Sequence, residues 1–261
     1  MTEHLSVLSL NIGNPSIERA KRQVAWLNSR TEDVFVLTEC KNNLGCHYIE
    51  EYFSKPRFDL FNMAYLPRYD VLFPKSETKE LGVMIISKYP IVSHNSAFDN
   101  NSMYYSRIID ANIQVNNFLV NIMGLYVPSR DRSDLKINRK HEFIEGIQQY
   151  LKNKKSRNSI VCGDFNVLER NHIPHYSTFF EWEYQFYDFL QDNNYDDIYR
   201  HFFPDEKEYS WVGRSNDGYR YDHCFVSSDL INSITACYYD HSTRQTTLTD
   251  HSAIVLNMDL I

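Results

Sequence analysis

The segment SIVCGDFN at residues 159–166 constrains the fold of this chain more than any other stretch. Its apolar run Ile160–Cys162 is short and predicts a buried strand, which a glycine then ends. Asp164 and Asn166 follow, and alternate side chains of an extended chain point to the same side. We therefore expect both polar groups to enter one cleft while Phe165 turns back into the core.

A polar pair after one strand has an ordinary explanation, because a strand followed by an Asx turn gives the same pattern. However, a carboxylate at the mouth of a buried strand is costly unless it is hydrogen-bonded, ion-paired or bound to metal. The chain also places polar side chains at the ends of several other predicted strands. The full set is Asn11, Glu39, Tyr126, Asp164, Asn166, Asp222, Asp250 and His251.

Hydrophobic periodicity predicts strands separated by helices in both halves of the chain. Residues 17–27 carry apolar side chains at helical spacing, with Asn14 as the predicted N-cap. This order favours an α/β fold with two packed sheets. No linker or short repeat divides the 261 residues, so a single domain over residues 1–261 is expected. The predicted strands lie at residues 5–11, 34–38, 81–87, 107–114, 118–125, 160–162, 221–226, 234–239 and 253–258.

Charge is unevenly distributed along the chain. The net charge of −7 does not favour a nucleic-acid partner, but residues 130–157 hold nine Lys or Arg against four acids. Residues 181–208 hold nine acids against two bases. A basic segment beside an acidic one predicts a surface with two faces, one of which meets phosphates. The alternative is that both segments are ordinary solvated helix faces.

The five cysteines are odd in number and lack zinc-ligand spacing. Cys162 and Cys224 lie in apolar strand-like runs and are predicted to be buried thiols, which fits a reducing compartment. The sequence shows no signal-peptide pattern and no apolar run long enough to span a membrane. We expect a soluble cytoplasmic monomer with no membrane association.

The polar side chains at the strand ends are nearly all acids or amides. Oxygen ligands without cysteines or paired histidines suit a hard ion, Mg²⁺ or Mn²⁺. His251 beside Asp250 is better explained as a catalytic partner than as a ligand. A nearby carboxylate would fix the tautomer of His251 and raise its pKa, leaving an imidazolium that faces a phosphate.

In chain order, the motifs resemble the endonuclease/exonuclease/phosphatase superfamily, and within it the exonuclease III and apurinic/apyrimidinic endonuclease branch. The resemblance covers nearly the whole chain, and its specificity comes from the series rather than from any one motif. It implies a four-layer α/β sandwich of two packed mixed β-sheets flanked by helices. The motifs are Leu10-Asn11, Leu37-Thr38-Glu39, Leu81-Gly82-Val83, Tyr126-Val127-Pro128, Gly163-Asp164-Phe165-Asn166, Tyr209-Ser210-Trp211, Arg220-Tyr221-Asp222 and Thr249-Asp250-His251.

The resemblance also implies a role for each side chain. Glu39 would bind the metal ion, and Asp250 would hold a second metal ion or its water. Asn11 would orient Glu39 or the metal-bound waters, the alternative being a plain cap at the strand end. Asp164 would take a proton from the attacking water or position it. Asn166 would hold either Asp164 or the phosphate.

On the same basis, Asp222 would orient His251, and His251 would stabilise charge on the pentacovalent phosphate. If the strands that begin near Asp222 and His251 are neighbours in one sheet, the carboxylate can reach one ring nitrogen and leave the other facing the cleft. Tyr126 would donate to a phosphate oxygen or to the leaving group. Trp211 would stack on a sugar or base, its alternative being a core aromatic. Backbone phosphates are the expected partners of Arg107, Arg130 and Arg132, whose alternative is solvated surface charge.

Three departures from the branch bear on substrate choice. Gly13 stands where the branch often has Asn or Asp, two residues after Asn11. Ser129 replaces the Asn that usually follows the Tyr-x-Pro motif. His223 replaces the Tyr that often follows the acid of the Arg-x-Asp motif.

The sequence favours one function over two others. The first is a Mg²⁺-dependent DNA phosphodiesterase that cuts at abasic sites or removes nucleotides from 3′ ends, supported by Tyr126 and the basic run. The alternative is a phosphatase or phosphodiesterase acting on an inositol phosphate, a sphingolipid or a small nucleotide, which the acidic net charge leaves open. A non-catalytic nucleic-acid-binding module is disfavoured because the acids and His251 are all present.

Overall fold

The computed structural model describes residues 2–59, 63–66, 68–77, 79–154, 157–213 and 216–260. The helices of these ranges are α1 Ile17–Asn28, α2 Leu44–Ser54, α3 Asp134–Asn153, α4 Glu181–Asp192, α5 Ile198–Phe202 and α6 Ser242–Gln245. Among them, none has the length and apolar content that a bilayer crossing demands. The strands are β1 Glu3–Asn11, β2 Val34–Cys40, β3 Arg57–Asp59, β4 Ala64–Leu66, β5 Asp70–Leu72, β6 Gly82–Ser87, β7 Ile91–Asn95, β8 Ile108–Val115, β9 Phe118–Tyr126, β10 Ser159–Asp164, β11 Tyr195–Asp197, β12 Trp211–Val212, β13 Gly218–Tyr219, β14 Asp222–Ser227, β15 Ile234–Asp240 and β16 Ala253–Leu260.

Most of the strands form two six-stranded sheets. The first sheet has the order β15-β16-β1-β2-β6-β5, and the second has the order β11-β14-β10-β9-β8-β7. Each sheet contains one parallel pair, β1 with β2 and β9 with β10, among antiparallel neighbours. The predicted α/β fold with two mixed sheets is therefore confirmed.

The two sheets pack face to face and helices cover their outer faces. Val36 and Val83 of the first sheet share one buried cluster with Ile122 and Ile160 of the second. At Gly124 the sheets are so close that an added Cβ would lie 2.7 Å from Cγ1 of Val83. Residues of α1 and α2 pack on the first sheet, and residues of α3 and α4 pack on the second. The resulting order of helix, sheet, sheet and helix is the predicted four-layer sandwich.

Strand register brings the polar strand ends together. Asp164 ends β10 and lies opposite Tyr126 at the end of the parallel strand β9. On its other side, Asp164 lies opposite Asp222, where the antiparallel strand β14 begins. In the first sheet Asn11 ends β1 beside Thr38 of β2, one residue before Glu39. One edge of the sandwich thus collects side chains that are far apart in sequence.

The start of α1 differs from the prediction. Ser16, not Asn14, is the N-cap, and its hydroxyl accepts a hydrogen bond from the backbone N–H of Arg19. Asn14 has a positive φ of 48°, a conformation that asparagine tolerates better than most residues. Its side-chain oxygen accepts from the side chain of Asn43. Asn14 therefore turns the chain away from β1 instead of capping the helix.

The cysteines match the prediction. Cys162 and Cys224 face each other in register on β10 and β14, and both are buried. The other three cysteines are also buried, and all five are free thiols.

Gly163 allows β10 to deliver Asp164 at this edge. Its φ of +144° is one that residues with a Cβ rarely adopt. An added Cβ would also lie 2.0 Å from the backbone oxygen of Leu125. Glycine is therefore required both by the backbone conformation and by the close approach of β9.

We predict that Gly163→Ala lowers the free energy of unfolding by about 3 kcal/mol or more, because a strained backbone and a clash with β9 act together. Urea denaturation followed by tryptophan fluorescence measures the change. Gly146→Ala on α3 is the control, because its added Cβ would lie 2.5 Å from the half-buried ring of Phe98 and so displace a side chain instead of backbone, and because alanine favours the helix. Equal stability of the two variants would contradict this account of Gly163.

Candidate active site

Asp164 is a buried carboxylate of this edge with two hydrogen-bond donors. Its Oδ1 accepts the backbone N–H of Asn166 at 2.9 Å, and its Oδ2 accepts the side-chain amide of Asn11 at 2.9 Å. The oxygen of Asn11 accepts the backbone N–H of Gly13. Both of these contacts of Asn11 are made without Glu39, and its predicted role toward Glu39 or the metal-bound waters stays a prediction. In this structure Asn11 orients Asp164.

Asp222 and His251 form the predicted pair. Nδ1 of His251 lies 2.7 Å from Oδ2 of Asp222, and both side chains are buried. The premise that they begin neighbouring strands of one sheet was wrong. Asp222 begins β14 of the second sheet, whereas His251 precedes β16 of the first. The contact forms because the two sheets pack together at this edge.

Electrostatics favour a charged ring at His251. Burial works against the imidazolium, but Asp222, with further help from Asp164 and Asp250, raises the pKa of His251 to about 10. Burial, followed by the charge of Asp222, raises the pKa of Asp164. A cation beside these carboxylates stabilises their ionised forms.

The donor atoms present fit a hard divalent ion. Asp164 and Asp222 offer carboxylate oxygens that lie within 4.8 Å of each other, whereas His251 of the same group is charged and paired with Asp222, so it is not a ligand. Oδ1 of Asp222 is buried without a hydrogen-bond partner. An unpartnered buried carboxylate oxygen is costly, and a metal ion or its water would satisfy it. Oxygen donors dominate the set, as Mg²⁺ and Mn²⁺ prefer.

Glu39 and Tyr126 lie on the other side of Asp164. Glu39 occupies an irregular position of β2 between Thr38 and Cys40, and its φ is 55°. Such bulges often re-aim a side chain toward an active site. The hydroxyl of Tyr126 donates to Oε1 of Glu39 at 3.1 Å. Burial, then the charges of Glu39 and Asp164, raise the pKa of Tyr126, so its hydroxyl stays a proton donor.

Asp250 and Trp211 lie at the rim of this pocket. The indole N–H of Trp211 donates to Oδ2 of Asp250 at 2.9 Å. Trp211 also pairs with His251 through an isolated β-bridge. Asp250 lies outside the group of Asp164, Asp222 and His251 whose ligand atoms converge. Trp211 is half-buried and stacks on Tyr219 with ring centroids 6.2 Å apart, so it is neither a core aromatic nor free.

Arg107 is not placed to contact a phosphate, which corrects the prediction. Its side chain is only 5% exposed and donates to Glu80 at 2.8 Å. The guanidinium lies 4.8 Å from the ring centroid of Tyr126 and donates to the backbone oxygen of that residue. A buried charge must be paired inside the protein, and Glu80 is the partner of Arg107. The contacts of Arg107 with the ring and backbone of Tyr126 hold that tyrosine in place.

Arg130 is likewise turned inward, so its predicted phosphate contact is also corrected. Its side chain is only 4% exposed and pairs with the fully buried Glu183. Lys140 donates to the same carboxylate at 2.6 Å and to the backbone oxygen of Asn166 at 2.6 Å. Much of the basic run 130–157 is thus neutralised internally, with Lys154 paired to Asp110 as a further example.

Lys140 and Glu183 are site-supporting residues that the sequence did not reveal. Lys140 lies among other bases on an amphipathic helix, and nothing in the pattern distinguishes it from a solvated lysine. Its contact with Asn166 depends on the packing of α3 against α4 and β10. A buried lysine that bonds the main chain next to Asp164 fixes the loop that carries Asn166.

A buried cluster of charged residues lies next to Asp222 and contains Arg220, Arg200, Glu169 and Asp197. Arg220 is fully buried, donates to Glu169 at 2.6 Å and forms an ion pair with Asp197 at 2.8 Å. Arg200 donates to Glu169 as well. The motif Arg220-Tyr221-Asp222 singled out the arginine, but its partners lie in distant segments and carry no sequence signal.

The family model for the endonuclease/exonuclease/phosphatase family matches residues 8–251. The chain belongs to this family. The resemblance inferred from the motifs is confirmed, and the chain is a phosphoester hydrolase of a metal-dependent family. Among curated proteins, the comparison finds no match.

Solved structures share the fold over almost the full chain. An AP endonuclease from Archaeoglobus fulgidus is 20% identical with a TM-score of 0.79, and the alignment covers 98% of this chain and 100% of that one. The 3′ phosphatase NExo from Neisseria, bound to a product DNA hairpin, is 16% identical with a TM-score of 0.79 and the same coverage. The 3′-5′ exonuclease NExo from Neisseria meningitidis is 18% identical with a TM-score of 0.76, again covering 98% and 100%.

For this family member, we predict that His251→Ala and Asp222→Ala each lower turnover about a hundredfold or more and leave substrate affinity nearly unchanged. The charged ring would act on negative charge that develops only in the transition state. The double variant should be little worse than either single variant, because the two residues act as a unit. Steady-state kinetics of the two single variants and the double variant measure this. If the double variant loses the product of the two single losses, Asp222 and His251 act independently.

The Glu169 cluster predicts a pH dependence of stability. Burial alone would raise the pKa of Glu169, but Arg200 and Arg220 lower it from 4.5 to about 2. A lowered carboxyl pKa adds stability above pH 4.5 and loses it as pH falls toward 2. Glu169→Gln should therefore lower the free energy of unfolding at neutral pH by up to ~3 kcal/mol and flatten its acid-side decline.

Urea denaturation at several pH values between neutrality and the folded pKa of Glu169 measures this effect. Glu181→Gln is the control, because Glu181 pairs with Arg170 on the surface, where its side chain is 63% exposed. An acid-side decline unchanged by Glu169→Gln would show that the cluster contributes nothing to it.

Proposed function

We propose that this protein, acting as one domain, is a Mg²⁺-dependent phosphodiesterase of DNA, with Mn²⁺ as a substitute ion. The observation that carries the proposal is the buried Asp222–His251 pair beside Asp164, in a pocket whose other walls supply Glu39, Asn11 and Tyr126. The reaction is in-line attack of water on the phosphorus of a phosphodiester.

The protonation state of each side chain sets its role in the reaction. Asp164 accepts a proton from the attacking water, and its raised pKa brings it closer to that of a base effective near neutrality. Asn11 and the backbone of Asn166 hold the carboxylate in place. His251 presents a positive ring to the phosphoryl oxygens, oriented by Asp222.

Tyr126 remains protonated and donates to a phosphate oxygen or to the leaving group. Its ring is held by Arg107, and its hydroxyl is already aimed into the pocket toward Glu39. Asn166 is held at its side chain by the backbone oxygen of Val127, so it shapes the pocket wall next to Asp164.

The metal ion would be held by Glu39, and the unpartnered Oδ1 of Asp222 would be satisfied by the ion or by its water. Asp250 at the rim would contact a second ion or its water. When bound, the ion would polarise a phosphoryl oxygen and help to orient the water. Two ions or one are both compatible with this donor set.

Two observations support DNA as the substrate: the activities of solved structures with this fold, and the aromatic side chains beside the catalytic pocket. Two solved structures that share this fold are an AP endonuclease and a 3′ phosphatase bound to a DNA hairpin. Half-buried rings of Trp211, Tyr219 and Tyr221 lie next to the catalytic pocket and suit stacking on a base or sugar. A small phosphoester is the second candidate, favoured by the internal pairing of Arg107 and Arg130 and by the net charge of −7.

The test is a substrate panel with Mg²⁺ or with chelator. It contains duplex DNA with an abasic site, DNA with a 3′ phosphate, nicked DNA, single-stranded DNA, RNA and an inositol phosphate. We expect cleavage of DNA with Mg²⁺ and none with chelator. If only the inositol phosphate is cleaved, DNA is not the substrate. If activity in chelator is as high as with Mg²⁺, the reaction does not need the metal ion.

Asp164→Asn should fold normally and lose about a hundredfold or more of turnover in the same panel, because amide nitrogen cannot accept the proton. Asp259→Asn, which pairs with His4 at the far end of β16, is the matched control. Turnover of Asp164→Asn close to that of the control would leave Asp164 with a structural role only.

A further inference from the structure

A groove lies beside the catalytic pocket and outside it. It has a volume of about 340 Å³ and runs between the loop after β9 and the segment before α4. The loop begins immediately after Tyr126, and the groove contains none of the catalytic residues proposed above. Its lining residues are Arg130, Arg132, Ile137, Ser177, Thr178 and Phe180.

Phe180 supplies a fixed aromatic surface in this groove. Its ring remains 44% exposed, although the guanidinium of Arg130 lies 4.7 Å from the ring centroid. The ring also stacks on Trp182 with centroids 6.1 Å apart. The backbone N–H of Phe180 donates to Glu183, the buried acid that holds Arg130. An exposed ring that is already ordered loses little entropy when it binds a flat ligand.

Arg132 supplies an unneutralised cation in the same groove. Its neighbour Asp131 is taken by Lys136 and by Ser133. Within the described ranges, no carboxylate forms an ion pair with Arg132, whereas Arg130 is fully committed to Glu183. A free guanidinium beside an exposed ring matches the two parts of a nucleotide, a phosphate and a base.

A row of rings connects this groove to the catalytic pocket. Phe179, next to Phe180, lies 6.5 Å from Tyr221, the residue before Asp222. Phe179 also contacts Tyr176 at 4.7 Å, and Tyr176 contacts Tyr219 at 5.2 Å. Tyr219 stacks on Trp211 at the rim of the pocket. The row therefore links Phe180 to the catalytic pocket through consecutive ring contacts.

We infer that the groove binds an unpaired nucleotide of the substrate strand, with its base on Phe180 and its phosphate on Arg132. This rests on the proposed function, and it adds that the enzyme prefers strands that are single-stranded beside the scissile phosphate. Unpaired bases expose their faces to protein rings, whereas bases inside a duplex stack on one another. The net charge of −7 argues against a second copy of this acidic chain as the occupant.

The test compares Phe180→Ala, Phe180→Trp and Arg132→Gln with Tyr238→Ala. Tyr238 is an aromatic residue on β15 of similar exposure, 40%, remote from this edge. Binding of labelled single-stranded oligonucleotides, from dinucleotide to octanucleotide, is measured by fluorescence anisotropy in chelator. Steady-state kinetics with Mg²⁺ are measured on single-stranded DNA, duplex DNA and a dinucleotide.

We expect Phe180→Ala to weaken binding of the longer single strands by about tenfold or more, the value of one stacked base. Its turnover at saturation and its activity on the dinucleotide should equal those of Tyr238→Ala. Phe180→Trp should retain binding. Arg132→Gln should reduce the salt dependence of binding by about 0.7 in log–log slope, the value of one phosphate contact.

The inference is overturned if Phe180→Ala binds long single strands as well as Tyr238→Ala does. It is also overturned if the variant loses dinucleotide activity to the same extent, or if only duplex binding falls. The proposed function fails separately, if the wild-type protein with Mg²⁺ cleaves no nucleic acid while the binding difference between variants persists.

Discussion

The hydrogen bond from Asn11 to Asp164 is the interaction on which the site depends. It joins β1 of the first sheet to β10 of the second across 2.9 Å, in a region closed to water. A carboxylate in such a place is tolerated only with partners, and Asn11 is one of them. Asp222 and His251 make a second bond between the sheets. The packing of the sandwich therefore sets the geometry of the pocket, and a shift of one sheet would separate both pairs.

Ion pairs beneath the surface hold the loops around this pocket. Arg107 with Glu80, Arg130 with Glu183, and Arg220 with Asp197 are all largely buried. Such pairs are weak sources of net stability, but removal of one partner leaves an uncompensated buried charge. They fix Tyr126 and the segments next to Asp164 and Asp222, so basic residues that look suited to DNA serve the architecture instead.

Because proteins with this fold differ in activity, the fold does not set the substrate, and the residues around the catalytic pocket must do so. An AP endonuclease and a 3′ phosphatase have the same TM-score against this chain, so the scaffold does not separate these activities. What this chain places around the pocket is aromatic: Trp211, Tyr219 and Tyr221, with Phe179 and Phe180 farther along. Ring stacking tolerates every base, because each base has a flat face. The proposed stacking on unpaired bases suits an edge at which Arg107 and Arg130 are paired inside the protein.

The sequence by itself determined the fold class, the family and which polar residues end the strands, because strands that end in polar residues leave a local pattern. It also gave the Asp222–His251 pair, although for the wrong reason, since periodicity cannot say which sheet a strand joins. Only the tertiary structure decided what Arg107, Arg130 and Lys140 do. Their partners lie in segments distant along the chain, and burial, which forces a charge to find a partner, is set by how helices and sheets pack rather than by local sequence.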